Sequence, residues 1–247
     1  VEPPFNTYTS GQVYFLFDQE TAFPLDRIRT SSFAQTSLPK FGQRYGYTDI
    51  NDYDVLILPD ARNLERLFWQ DQRMEITQWL QRGGVLITLE DAANFFTTEG
   101  KFGKQEMVKN KPDTSEAAKY LTFEEQERYY GLRRIPGSAL NARIDITHPL
   151  AFGLKPELYT LKLSTDALEP SNRLASVGVY ADQADAMLAA GYASTENLER
   201  LANKTFAGVQ NMGEGKIVYL IDNPHYRMFW RGGSRMVQNA ALILRAF

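Results

Sequence analysis

Trp79–Phe96, WLQRGGVLITLEDAANFF, decides the fold. Trp79 and Leu80 close an amphipathic run. Gly83-Gly84 then stops it where a positive φ is needed, and Val85–Leu89 follows as a short apolar strand rich in β-branched residues. Glu90 and Asp91 come directly after the strand, ahead of Ala92-Ala93, whose small side chains allow a sharp turn into a following helix. In open α/β sheets the carboxyl end of such a strand is where ligand and catalytic groups collect.

Upstream, Tyr53–Leu58 (YDVLIL) is almost entirely apolar and is closed by Pro59-Asp60, the pattern of a central parallel strand covered on both faces. Between Asn63 and Gln81, residues Leu64, Leu67, Phe68, Ile76, Trp79 and Leu80 recur at helical spacing and predict a crossover helix. Strand, helix and strand at this length imply a right-handed parallel βαβ unit. The expected architecture is therefore α/β, with a mostly parallel central sheet and antiparallel additions late in the chain.

The rest reads as one domain over residues 1–247. Residues 1–11 form a linker-like lead, and Gln12–Phe17 is an aromatic-rich strand candidate. Arg27–Phe33 is either strand or irregular edge. Residues 97–137 read as an inserted, exposed helical excursion whose Lys and Glu residues form a solvated face, with Thr122 and Glu125 as a capping box. Strands are expected at Ala139–Ile146, Tyr159–Leu163, Leu174–Tyr180 and Thr205–Asn211, and again at Lys216–Ile221 after a Gly213-Glu214-Gly215 turn. Ala186–Tyr192 is strand or helix, and Thr195–Ala202 a short helix. A last helix carries Met236, Val237, Ala240, Ala241, Ile243 and Leu244 on one face, with Ser234 as its N-cap.

Composition narrows the chemistry. The 247 residues are 43% hydrophobic and 23% charged, a globular balance, and a net charge of −3 supplies no field for nucleic acid or an anionic membrane. No apolar run approaches the ~20 residues of a membrane span. Zero cysteines exclude disulfides, thiolate metal sites and cysteine nucleophiles, and two histidines, His148 and His225, leave metal chemistry short of ligands. His148, before Pro149, is expected to cap a turn. The chain begins with Val1 and no signal-like segment follows, which reads as a processed product or a piece of a longer chain.

YDVLILPD (Tyr53–Asp60), WLQRGGVLITL (Trp79–Leu89), PGSALNARIDITHPLAFGL (Pro136–Leu154) and GEGKIVYLIDNPHYRMFWRGGSRMVQNAALIL (Gly213–Leu244), in that order, resemble the class I glutamine-amidotransferase-like domain. The resemblance is closest to the version found C-terminal to the catalytic domain of bacterial secreted zinc carboxypeptidases. It covers most of the chain and implies a flavodoxin-like, amidotransferase-like three-layer fold. Amidotransferases of this fold place a cysteine at a sharp elbow after a central strand, with a histidine after a late strand and a nearby glutamate. Here the elbow falls near Glu90-Asp91, and the late-strand position falls in Asp222-Asn223-Pro224-His225 without the His-Pro-Glu pattern.

The resemblance thus implies a non-catalytic accessory or interaction domain with a degenerate amidotransferase site. It also implies a secreted or periplasmic setting, and the peptidase domain of the same polypeptide as partner. No cofactor is expected in this stretch, any zinc belonging to an upstream catalytic domain. The alternative is a hydrolase or small-ligand sensor using a carboxylate/His crevice. Under either reading, Asp60, Glu90, Asp91, Asn223, His225, Arg227 and Arg231 are expected to gather at the carboxyl edge of the sheet, with His225 approaching Glu90 or Asp91 and held protonated by it. Asp222 is a further carboxylate for that edge. Phe229 and Trp230 are expected to pack the last loop onto the body of the domain.

Overall fold

The computed structural model describes residues 4–30, 48–109 and 119–247. Helix α1 (Thr7–Phe15) runs into a π-helical turn at Leu16–Glu20. Strand β1 (Val55–Leu58), a 3₁₀ turn at Leu64–Arg66, helix α2 (Gln70–Gln81) and strand β2 (Val85–Leu89) form the βαβ unit, followed by the short helix α3 (Asp91–Phe95). Then come α4 (Phe123–Leu132), β3 (Ser138–Ile144), β4 (Glu157–Lys162), β5 (Ala175–Tyr180), α5 (Ala184–Met187), β6 (Leu188–Ala190), α6 (Thr195–Leu201), β7 (Thr205–Met212), β8 (Gly215–Leu220) and α7 (Ser234–Leu242).

These strands form one 8-stranded mixed sheet in the order β1-β2-β8-β7-β5-β3-β4, with β6 paired to β3 off that path. The pairs β1–β2 and β2–β8 are parallel, in register from Val55↔Val85 and Val85↔Lys216. From β8 onward every described pairing is antiparallel, beginning with the β7–β8 hairpin. The late antiparallel additions are thus larger than expected and the parallel part smaller. Side chains of β2 and β8 alternate between two cores: Val85, Ile87, Leu89, Val218 and Leu220 on one face, Leu86, Ile217, Tyr219 and Ile221 on the other. This period-2 split makes the sheet the middle of three layers. Helix α2 supplies Ile76, Trp79 and Leu80 to one face, and α7 supplies Met236, Val237 and Ala240 to the other.

The turn from α2 into β2 follows the sequence reading. Gly83 has φ +107°, and a Cβ on Gly84 would stand 2.4 Å from the Trp79 ring. The crossover helix is shorter than its periodicity predicts, because the chain breaks at Trp69. There the indole donates to the Arg66 carbonyl (2.7 Å), and the Trp69 N–H is taken by the Gln72 side chain (3.1 Å) before the helix starts.

Several expectations are corrected. Among the described residues β1 is an edge strand, not a central one, and three of its four residues are only half-buried. Gln12–Phe17 is helical, not strand, and residues 7–11 of the lead belong to the same helix. Asn6 starts it by accepting the Tyr8 N–H (2.9 Å), a capping signal that outweighs the strand preference of the aromatic residues. Part of the 97–137 segment is not an exposed excursion: Gln105, Met107 and Val108 are buried, and Met107 bridges to Leu168. Residues 110–118 of that segment, and Ser31–Phe33 of the Arg27–Phe33 run, lie outside the described residues. Ala184–Ala190 is a helix followed by a strand. Ser234 is the first helical residue of α7, Gly233 standing at its N-cap. The Thr122/Glu125 capping box does open α4, and His148 does cap a 3₁₀ turn through Nδ1 and the Leu150 N–H (3.1 Å).

Candidate functional site

The elbow is a strained turn. Glu90 has φ +53° and ψ −129°, a combination uncommon for a residue with a side chain. Its N–H is fixed by the Leu220 carbonyl (2.8 Å), and Ala92 and Ala93 are fully buried where larger residues would block the turn into α3. β2 and β8 are parallel neighbours, so the chain leaving β8 arrives beside the elbow, and the Asn223 amide donates to Glu90 Oε2 (3.0 Å). Asn223 Oδ1 accepts the His225 N–H (3.0 Å), which fixes the amide so that its nitrogen faces Glu90. From the neighbouring β1 end, Asp60 Oδ1 accepts the Asp91 N–H (3.2 Å), while Arg62 pairs with Asp91 (2.6 Å).

This geometry sets the electrostatics. Glu90 is pushed up to about 8, first by burial and then by Asp60, with Asp91 and Asp222 adding to the effect and the Asn223 hydrogen bond opposing it. Asp60 is also raised, by burial and by Asp91. The elbow carboxyl is therefore mainly protonated at neutral pH.

His225 lies on the same edge but does not partner Glu90 or Asp91. Its Nδ1 is hydrogen-bonded to Ser234 Oγ at the start of α7. Its Nε2 is buried without a hydrogen bond and faces Glu20 at 3.8 Å. Burial lowers its pKa, with Glu20 opposing, so the ring is neutral at pH 7, in contrast to the expected imidazolium. Arg231 pairs with Glu20 (2.8 Å). Arg227 is exposed, in a left-handed conformation (φ +48°), with its guanidinium 5.1 Å from the Tyr226 ring centre. Phe229 is 67% exposed and does not pack onto the body of the domain, whereas Trp230 is half-buried.

Sequence reasoning missed two sets of residues. The first is the N-terminal segment, which crosses this edge. Asn6 binds Asp60 through both its N–H (2.8 Å) and its side-chain amide (3.1 Å), and Gln12 Oε1 accepts from Asn223 (3.0 Å). Thr9, Gln12, Val13 and Leu16 line a small cavity together with Leu89, Asn223 and His225. The second set surrounds Asp222. Lys162 Nζ binds Asp222 Oδ1 (2.7 Å), Thr160 donates to Oδ2 (2.8 Å) and the Tyr180 hydroxyl lies 2.8 Å from both oxygens. Lys162 is fully buried and also donates to the Asp166 carbonyl. Its signal was parity: Thr160 and Lys162 are the inward positions of β4, where an alternating strand places apolar residues.

Among the described residues, no group of three or more His, Cys, Asp or Glu side chains is placed to hold a metal ion, and no helix is long and apolar enough to cross a membrane.

No protein-family model matches the chain, and no curated protein matches it. Solved structures do. A putative ThuA-like protein from Parabacteroides merdae aligns over 96% of this chain and 85% of its own, with TM-score 0.55 and 12% identity. PurLQS from Thermotoga maritima aligns over 97% and 94%, with TM-score 0.53 and 12% identity. A putative GMP synthase protein from Thermoplasma acidophilum aligns over 96% and 88%, with TM-score 0.53 and 8% identity. At these identities the likeness is one of fold, and the chain has the class I glutamine-amidotransferase-like fold.

Proposed function

We propose that this chain is a non-catalytic accessory domain of a larger zinc carboxypeptidase-like protein, which keeps the amidotransferase-like scaffold without its chemistry. The observation that carries the non-catalytic reading is the occupancy of the elbow. Glu90 stands where this fold holds its nucleophile, its carboxyl is bonded to Asn223, and the one histidine of that edge is turned to Ser234 and Glu20. A nucleophile at such an elbow needs a base within hydrogen-bond reach. The association with a zinc carboxypeptidase rests on the order of the four sequence motifs. Structures of this fold align over nearly the whole chain, so a peptidase domain would lie outside these residues.

The hydrolase alternative needs Glu90 and His225 to cooperate, and each is engaged elsewhere. The purified chain is expected to release no ammonia from glutamine and to leave C-terminal residues on peptide substrates. Glu90→Cys is expected to remain without glutaminase activity, because the histidine of that edge is turned to Ser234 and Glu20 and not to position 90. Glutamine turnover by either protein overturns the non-catalytic reading. Reading the coding sequence that flanks Val1 tests the context: an upstream HxxE zinc-ligand pattern is expected, and flanking sequence of another enzyme class would overturn the carboxypeptidase assignment.

A further inference from the structure

The chain between β8 and α7 builds a polar cradle from its own residues. Asn223 accepts the His225 N–H (3.0 Å), and Ser234 at the start of α7 holds Nδ1 of the ring. The Arg231 guanidinium is fixed by the same loop, its Nε donating to the Met228 carbonyl (2.9 Å). Arg227 (φ +48°) and Met228 (φ +61°) both stand in the left-handed region, a strain of the kind that collects at ligand clamps.

Between Arg231 and His225 lies Glu20. Its Oε1 takes Arg231 Nη2 at 2.8 Å, and the same oxygen stands 3.8 Å from His225 Nε2, too far for a hydrogen bond. The His225 side chain is 3% exposed, and Nε2 has no hydrogen-bond partner among the described residues. A carboxylate facing Nε2 favours the tautomer with the proton there, Ser234 then donating to Nδ1. The ring thus aims a buried, unused donor at a carboxylate that does not reach it.

Glu20 is held short by its backbone. Leu16 and Phe17 are buried, and Thr21 closes the turn with its N–H on the Leu16 carbonyl (3.1 Å) and its hydroxyl on the Phe17 carbonyl (2.9 Å). The Glu20 side chain can swing into solvent without moving that turn, and Arg231 and His225 stay where their own loop holds them.

We propose that Arg231 and His225 form a site for an external carboxylate, the C-terminal carboxylate of a peptide, and that Glu20 is its tethered stand-in. A carboxylate free of the tether gives one oxygen to Arg231 and the other to Nε2, which pairs the donor that Glu20 leaves unused. On the same loop Tyr226 and Phe229 stand edge to face, ring centres 6.1 Å apart, and Phe229 is 67% exposed, a surface for an apolar terminal side chain. The site goes beyond the accessory-domain reading and stands or falls separately from it.

The chain has two histidines, so their ring C–H resonances report the site and its control directly. The probes are N-acetyl-phenylalanine, its amide and acetate. N-acetyl-phenylalanine is expected to shift His225 saturably, leaving His148 unmoved, and the amide to shift neither. Glu20→Gln removes the tethered competitor and is expected to tighten binding of the acid about tenfold. Adding Arg231→Gln to Glu20→Gln is expected to cancel that gain. Equal binding of the amide, no shift of His225 by the acid in the Glu20→Gln protein, or an affinity indifferent to either substitution overturns the site. Acetate binding as tightly as N-acetyl-phenylalanine overturns the assignment to a peptide terminus.

Discussion

Two polar clusters lie at the same carboxyl edge of the sheet, both reached by the chain leaving β8, and they solve burial in opposite ways. Around Asp222 every group is matched: Lys162 supplies the opposite charge, and Thr160 and Tyr180 supply hydrogen bonds. Around Glu90 the neighbours are carboxylates, the main donor is one amide, and the backbone is strained. Burial pushes the Tyr180 hydroxyl well above its ordinary range, with Asp222 adding to it, so that hydroxyl keeps its proton across ordinary pH. Glu90 titrates within that range. One polar core is thus built for stability, and the other has a protonation state that can be adjusted.

Removing Lys162 should break the first cluster most severely. Lys162→Met leaves Asp222 buried and uncompensated, with an expected loss of about 3–5 kcal/mol in denaturant unfolding. Adding Asp222→Leu to Lys162→Met is expected to restore part of it, since an apolar pair carries no charge to bury. A loss below about 1 kcal/mol for Lys162→Met would show that the pair is hydrated in solution.

The second cluster should respond to pH with the opposite sign from a paired carboxylate. Glu90 in the folded state is raised to about 8 from 4.5, so its contribution to stability is fully present below pH 4.5, is lost as pH rises, and reaches its floor above pH 8. Glu90→Gln is therefore expected to stabilise the protein by on the order of 2 kcal/mol at pH 9 and to change little near pH 4.5, read from urea unfolding at both values. Equal effects at the two pH values would mean that Glu90 is hydrated in the folded protein.

The smallest effect is expected at the boundary of the second cluster. Ser234→Ala removes the Nδ1 partner of His225, with an expected loss of about 1 kcal/mol in urea unfolding, and leaves the His225 pKa lowered in NMR, because burial is what lowers it. An unchanged stability would show that the Ser234 contact does not hold the ring.

Much of the fold was legible because local signals agreed with it. The YDVLIL and VLITL strands, the amphipathic run between them and the Gly83-Gly84 stop all name one βαβ unit, and Gly213–Gly215 names the β7–β8 hairpin. Where local signals competed, tertiary contacts decided. Gln12–Phe17 has the composition of a strand, but the Asn6 cap and the burial of Leu16 and Phe17 make it helical.

The candidate site divides along the same line. Sequence alone placed Glu90 at the turn after β2, and Asn223 and His225 after β8, because strand ends in an α/β sheet share an edge. It could not say which of those side chains meet. Glu90 to Asn223, His225 to Ser234 and Gln12 across to Asn223 are contacts set by backbone direction at a strained elbow and by a helix arriving from 211 residues away in sequence. Spacing along the chain determines which residues reach the edge. Only the folded packing determines which charges are buried together, and so which carboxyl keeps its proton.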